Sequence, residues 1–419
     1  MKSLVRKVGL ILALTVLAAW LRLPNLGDVN LYNDEYYQFE AAVGWLKTGE
    51  WVRWDYYTAT ADKPYDRAKL FMVQVASSIA LFGETEWAGR LPAALWGILL
   101  IPLTVLLLLR ISKHELIAYG TGLVLAVDPL SIELSRYVRM YSMLMVCSIV
   151  IVFLFYRCLE SRRWARLWYG GGALVVTIIA VLIFKELTLA LLAALAVYVT
   201  VRTVLFLVQR QPVDRPWVVA WIIGAVLGSV AIVLTILGYN VIPLDAAIIR
   251  DQPHWSYVVD LFSAWRIPAI AAGFTVIGVA VSFRQLRSFS GLSTVVASAV
   301  LIYFTFFSHR WDAQRYVSIV VPLISFITVI GLVVTLRFLF ELLPKPSWLR
   351  YALIIPLALL AGPTFSFSQP SYPDLRTAYR SVAEQVSPGE VILIQGPRFY
   401  YWPDPTLPGY KLGAYKSLT

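Results

Sequence analysis

Charge is scarce in this chain. Of 419 residues, 15% are charged and 59% are hydrophobic, and mean hydropathy is +0.70. A soluble domain carries about a quarter charged residues, so a freely soluble globule is excluded. Several chemical signatures are missing too. There is no H-E-x-x-H, no C-x-x-C pair and no Walker loop, which leaves zinc-protease and nucleotide-hydrolase chemistry without support. Cysteine is limited to Cys147 and Cys158, in one apolar helix. At the helical rise they stand about 16 Å apart, too far to form a disulfide with each other. The alternating ten-residue pattern of a membrane β-barrel is absent as well.

What the sequence has instead is apolar runs near bilayer-crossing length, repeated along the chain. The reading is an all-α polytopic integral membrane protein of roughly eleven spans. They cover about residues 8–23, 91–109, 115–130, 141–157, 167–184, 188–208, 217–238, 266–283, 289–307, 316–340 and 350–367. The formal charge of +11 sits in short links between these runs, which argues for membrane topology and against a nucleic-acid partner. The N-terminus "MKSLVRKVGLILALTVLAAWLRLP" is read as an uncleaved first helix that starts in the cytoplasm, since no clear A-x-A site follows. That start puts "RISKHE", "RCLESRRWAR", "RQPVDRP", "RQLR" and "ELLPKPSWLR" on the cytoplasmic side, as the positive-inside rule requires.

Residues 24–90 then form a long first external segment. Its apolar stretch 70–83 is short for a span and suits an interfacial helix. Residues 1–367 are expected to form the transmembrane domain, and residues 368–419 a short external C-terminal domain. There "DLRTAYRSVAEQVSPGEVILIQGPRFYYW" reads as a helix, a Pro-Gly turn and a short apolar strand.

The external segments are where the charge collects. The stretch "LYNDEYYQFE" puts Asp34 and Glu35 side by side just after the first span. Lys63, Arg67 and Lys69 follow in the same segment. Arg136 and Arg139 lie in "DPLSIELSRYVRMYS", Lys185 and Glu186 in "FKELT", and His309, Arg310, Asp312, Arg315 and Tyr316 in "SHRWDAQRY". Topology alone would leave external loops poor in Lys and Arg. Cations from several loops near membrane depth suit one anionic headgroup, and Arg matches phosphate with a two-pronged fork. Aromatic residues among them suit sugar faces and the membrane interface. Plainer readings stand beside these. Arg136 and Arg139 would also anchor a helix end among lipid phosphates, Lys185 and Glu186 would also make a local ion pair, and His309 reads as a loop residue. An adjacent acid pair beside a span is costly unless solvated or used, which singles out Asp34.

These residues resemble the GT-C membrane glycosyltransferases, in the group that includes protein O-mannosyltransferases and the aminoarabinose transferases of lipid A. "LRLPNLGDVNLYNDEYYQFEAAVGWLKTGEW" is similar to the family's opening of one helix, an Asp-Glu pair and a short helix. Phe82, Gly83, Arg90, Leu91 and Pro92 resemble its Phe-Gly, spacer, Arg-Leu-Pro pattern. "DPLSIELSRYVRMYSMLM", "FKELTLALLAALAVYV" and "QRYVSIVVPLI" resemble its later segments in order. The chain departs from the pattern at Arg67-Ala68-Lys69-Leu70, where many relatives have Lys/His-Pro-Pro-Leu, and at Arg139-Met140-Tyr141, where some have Arg-x-Asp.

The resemblance implies an inverting hexosyl- or pentosyltransferase in the cytoplasmic (inner) membrane, with its active site on the external face. The donor would be a sugar on a polyprenyl phosphate and the acceptor a hydroxyl of a lipid, glycan or protein. Asp34 matches the family's catalytic acid, with Glu35 beside it. Lys63, Arg67, Lys69, Arg136, Arg139 and Arg315 are the candidates for binding the donor phosphate. Tyr141, Lys185 and Tyr316 complete the candidate substrate-binding set. No nucleotide site is needed, because the donor is already lipid-linked, and no cofactor is assigned. A divalent metal ion is left open, with Asp34 its candidate ligand. The main rival is a lipid-linked sugar transporter or flippase, which would put charges inside several spans or break helices in matched halves. A membrane acyltransferase would want a His-centred base, and an oligosaccharyltransferase-type enzyme a larger external domain.

Overall fold

The computed structural model describes residues 2–31, 34–56, 59–65, 67–112, 114–161, 164–209, 253–263, 265–307, 314–342, 375–385, 391–394, 400 and 411–414. Seven helices among them are long and apolar enough to cross a bilayer: Leu4–Arg22, Glu86–Ile111, Tyr141–Glu160, Trp164–Ile183, Lys185–Val208, Phe289–Phe307 and Arg315–Glu341. Each coincides with a span expected from the sequence. The expected spans 217–238 and 350–367 lie outside the described residues.

Two expected spans are shorter than anticipated. Glu115–Val127 has 13 residues and Pro268–Phe283 has 16. At 1.5 Å per residue neither reaches the roughly 30 Å of a hydrocarbon core unaided. The first ends early because Asp128 and Pro129 start a new helix. The Asp128 carboxylate accepts from Ser131 N at 2.7 Å, and the proline occupies the first helical turn. Lys69–Phe82 is a 14-residue apolar helix where an interfacial helix was expected.

The chain divides into two compact units. The first comprises Met1–Arg22, Ala93–Ser135 and Met140–Phe365. It contains α1 (Lys2–Arg22), most of α4 (Glu86–Ile111), α5 (Glu115–Val127), α6 (Pro129–Leu134), α7 (Tyr141–Glu160), α8 (Trp164–Ile183) and α9 (Lys185–Val208). Then come α10 (Ser256–Ser263), α11 (Pro268–Phe283), α12 (Phe289–Ile302), a π-helical turn Tyr303–Phe307, a 3-10 turn Gln314–Val320 and α13 (Val321–Leu342).

Among the described residues α11 and α13 cross closely. A Cβ added at Gly278 would strike the Ile327 carbonyl, and one at Gly331 the Phe274 carbonyl. Thr275 and Thr328 share a hydroxyl hydrogen bond of 2.6 Å at the same crossing. Small residues that let backbones touch, joined by a polar bond, are what membrane helices use where hydrophobicity cannot discriminate protein from lipid. Arg22 closes the end of α5. Fully buried, it donates to the Ala126 carbonyl at 2.9 Å, the Leu125 carbonyl at 3.1 Å and Ser131 Oγ at 3.1 Å, satisfying carbonyls a helix end leaves open.

The second unit comprises Leu23–Pro92, Arg136–Arg139 and Ser366–Thr419. It holds α2 (Glu35–Thr48), the strands β1 (Val52–Asp55) and β2 (Thr60–Pro64), α3 (Lys69–Phe82) and the first turns of α4. The strands pair antiparallel, Val52 with Pro64 and Asp55 with Thr60. The tail adds α14 (Leu375–Gln385) and a parallel pair, β3 (Val391–Ile394) with β4 (Lys411–Ala414). Tyr400 packs its ring against Phe39 and Tyr56, with centroids 5.1 and 5.2 Å away, and donates to the Glu84 carbonyl.

Candidate active site

The second unit is organised around one buried ion pair. Glu35 opens α2, and its carboxylate receives both prongs of the Arg90 guanidinium, each at 2.9 Å. Only 2% of the Glu35 side chain and 4% of the Arg90 side chain are exposed. Arg90 also donates to three carbonyls of the preceding loop: Leu26 at 3.0 Å, Val29 at 2.7 Å and Asn30 at 2.8 Å. The Val138 N–H adds a bond to Glu35 Oε1 at 2.8 Å. A buried charge pair persists only when its lone pairs and N–H groups are satisfied in this way. Glu35 is thereby committed to holding residues 26–35 and 138 together.

Asp34 precedes it and faces elsewhere. It sits at the N-cap position of α2, yet its side chain accepts no capping hydrogen bond. Its carboxylate lies 3.7 Å from Arg139 Nη2, and Arg139 Nη1 approaches the Asp34 carbonyl at 3.4 Å. The Asp34 side chain is 28% exposed and that of Arg139 11%. Adjacent residues at a helix start point in different directions, so one acid is locked inward and the other reaches a partly open edge.

Tyr65 joins this edge and was missed by the sequence reading. Burial pushes its phenol up. Arg139, which shares a hydrogen bond with it, and Arg67 oppose that shift, while Asp34 adds to it. Tyr65 stacks on Tyr37 with centroids 6.3 Å apart. The Arg53 guanidinium lies 4.5 Å over Tyr37 and is gripped by Glu40 at 2.7 and 2.8 Å. The signal available in the sequence was the density of tyrosines in 36–65. Lys63, Arg67 and Lys69 are exposed on β2 and at the start of α3. Arg136 is drawn into the fold, donating to the carbonyls of Pro24 at 2.8 Å and Asn25 at 3.0 Å. Burial, then the nearby Arg90 charge, lowers its guanidinium, and Asp28 opposes the shift.

The remaining candidates gather in the first unit. Tyr141 is buried at the start of α7 and meets Phe184 edge-on at 6.3 Å. Phe184, directly before Lys185, stacks on Tyr316 at 6.5 Å, and the Arg315 guanidinium lies 5.5 Å from the Tyr316 ring. Three chain segments far apart in sequence thus bring Tyr141, Phe184, Tyr316 and Arg315 into one cluster, with Lys185 next to Phe184 in the chain. Of the "SHRWDAQRY" loop, His309, Arg310 and Asp312 lie outside the described residues.

Among the described residues no three His, Cys, Asp or Glu side chains converge as ligands for an ion. With Glu35 committed to Arg90 and Val138, the described side chains do not make a protein-held metal centre at Asp34.

Comparison with known proteins places this architecture. Residues 70–239 match the family described as dolichyl-phosphate-mannose-protein mannosyltransferase. ArnT from Cupriavidus metallidurans in the apo state aligns at 17% identity and a TM-score of 0.56, over 79% of this chain and 60% of that one. The same protein bound to undecaprenyl phosphate aligns at 15% identity and a TM-score of 0.58, over 97% of this chain and 85% of that one. The Archaeoglobus fulgidus oligosaccharyltransferase, complexed with zinc and sulfate, aligns at 14% identity and a TM-score of 0.53, over 98% of this chain and 59% of that one. The chain therefore spans 60% of the length of apo ArnT. A search of curated proteins gives no match. The fold is that of the GT-C membrane glycosyltransferases, and the chain is a multi-pass membrane protein.

Proposed function

We propose that this protein is a glycosyltransferase that moves a sugar from a polyprenyl-phosphate donor to an acceptor hydroxyl at the outer face of the cytoplasmic membrane. The observation that carries the reading is Asp34 beside Arg139, a carboxylate spared from helix capping and 3.7 Å from a guanidinium. The GT-C fold and the undecaprenyl phosphate held by ArnT support the donor class. The basic links on the opposite side of the spans support the orientation.

In this mechanism the acceptor oxygen attacks the anomeric carbon as Asp34 takes its proton, and the bond from sugar to phosphate breaks. Inversion follows from a single displacement. Arg139, with Arg67, Lys63 and Lys69 on the exposed flank, stabilises the charge that develops on the departing phosphate. Arg136 and Arg315 lend positive potential to the regions they hold. Tyr141, Lys185 and Tyr316 bind substrate in the cluster around Phe184. Glu35 acts through position: with Arg90 it fixes the backbone that presents Asp34.

The test is sugar transfer by purified protein in proteoliposomes supplied with polyprenyl-phosphate sugars. Asp34→Asn keeps the shape and removes the basicity, so the rate should fall about 10²–10⁴-fold, the usual scale for losing a general base. Transfer at the parent's rate would reject the mechanism.

A further inference from the structure

The second unit has an open cleft of about 630 Å³, distinct from the Asp34 edge. Asn25, Leu26 and Asp28 line one side, Glu86 and Trp87 at the start of α4 another, and Arg376 of the tail helix α14 reaches in as well. Its volume falls in the range of small-ligand sites. Arg376 is pinned in place, donating through Nε to Glu86 Oε1 at 3.1 Å, through Nη2 to the same carboxylate, and through Nη2 to the Gly27 carbonyl at 3.0 Å. Trp87 is T-shaped against Phe82 at 5.3 Å and remains 37% exposed. Asp28 is exposed.

The cleft is tied to the acid pair by two arginines. Arg90 holds the Leu26 carbonyl of the cleft wall and the Glu35 carboxylate with one guanidinium. Arg136 holds the Asn25 carbonyl, two residues from Val138, whose N–H bonds Glu35. The cleft wall is thus fixed to the residue next to Asp34 by groups only one side chain wide.

We infer that this cleft binds a saccharide, the sugar portion of the acceptor. The inference rests on the glycosyltransferase reading and names the acceptor side of that site. An indole offers a flat apolar surface for the C–H face of a sugar ring. An exposed carboxylate accepts from hydroxyl groups, and a pinned guanidinium donates to them. A fixed aromatic, an acceptor and a donor around a half-apolar cleft match a hydroxyl-rich ring better than a lipid chain, which needs no polar partners, or a compact anion, which Asp28 and Glu86 would repel.

The experiment uses the full chain in phosphatidylcholine nanodiscs and saturation-transfer NMR. The probes are the methyl glycosides of glucose, mannose and galactose, with a serine-containing tripeptide as the rival. At least one glycoside should receive saturation from the parent protein. Asp28→Asn, at an exposed position, should weaken its apparent affinity about tenfold. Trp87→Leu should abolish the ring-face signal. No transfer to any glycoside, a titration unaltered in both cleft variants, or binding of the tripeptide in place of the glycosides would overturn the inference. Glycoside binding that depends on Asp28, in a protein that moves no sugar from a polyprenyl-phosphate donor, would leave the cleft standing and reject the catalytic reading.

Discussion

Replacing Arg90 with methionine isolates what holds the candidate active site together. The aliphatic stem is kept while five donor contacts disappear, two to Glu35 and one each to Leu26, Val29 and Asn30. Removing one partner of a buried ion pair costs about 3–5 kcal/mol. Each carbonyl left buried and unpaired would add about 1–3 kcal/mol. That total rivals the stability of a whole domain, so the loop will open to water instead of staying buried.

The expected outcome is therefore partly local. Hydrogen exchange followed by mass spectrometry in nanodiscs should show lost amide protection across residues 24–40 and 136–139. Global stability should fall by about 3–5 kcal/mol, because opening rehydrates the carbonyls. Sugar transfer should fall with the protection. The double variant Arg90→Met, Glu35→Met removes both charges and should recover about 2 kcal/mol or more of the single variant's loss, since apolar pairs replace buried ion pairs well. Unchanged protection in Arg90→Met, or a double variant no more stable than the single, would refute the account of Glu35 as a positioning residue.

Arg139→Ala should reduce kcat/KM for the donor by about 30- to 150-fold, the equivalent of about 2–3 kcal/mol for one charge-assisted contact. Arg139→Lys should restore part of it, and a donor titration showing parent kinetics for Arg139→Ala would contradict the phosphate role. Burial holds the Asp128 carboxyl up to about 6 from 3.8, with the Ser131 N–H and Arg22 opposing. Its proton is held more tightly folded than unfolded, so its stabilising contribution is complete below about pH 4 and is lost as pH rises through about 6. Asp128→Asn keeps the cap and should gain on the order of 3 kcal/mol over the parent at pH 7 and little at pH 4, and thermal unfolding with a pH-independent difference would show the reasoning wrong. Gly331→Ala should cost about 1–3 kcal/mol by wedging α11 from α13, whereas Gly273→Ala, with open space at its Cβ, should cost far less; equal melting temperatures for the two would remove the close crossing.

The spans were legible because bilayer crossing is a local property: a helix long and apolar enough declares itself within its own residues. The short helix Glu115–Val127 was overextended for a related reason. Apolar length was counted through Asp128-Pro129, where local turn chemistry ends the helix. Partnership was much less legible. Arg136 could be read as an external cation, but its two backbone carbonyl acceptors lie more than a hundred residues away, in a loop whose open carbonyls no sequence pattern displays. Arg90 was visible only as part of a short Arg-Leu-Pro pattern, and its five acceptors emerge only once the first loop folds onto α4. The clustering of Tyr141, Phe184 and Tyr316 has the same character, since ring contacts between separate loops follow from the packing of the helices that carry them.

The acid pair joins these two kinds of information. A lone carboxylate beside a span is ambiguous, because the same cost of desolvation is met by a structural partner or by a chemical use. Two adjacent carboxylates divide the possibilities. Glu35 turns inward to Arg90 and Val138, which anchors the start of α2 against the loop before it and the segment after α6. That anchoring fixes the backbone one residue earlier, so the Asp34 carboxylate lies 3.7 Å from Arg139, in the field of Tyr65, and makes no capping bond to its own helix. A general base needs such preorganisation, since a carboxylate free to turn back and cap the helix would spend its lone pairs there. Exchanging the two residues would therefore not be neutral. Aspartate at 35 would be one methylene short of the Arg90 fork, which glutamate meets with two 2.9 Å bonds.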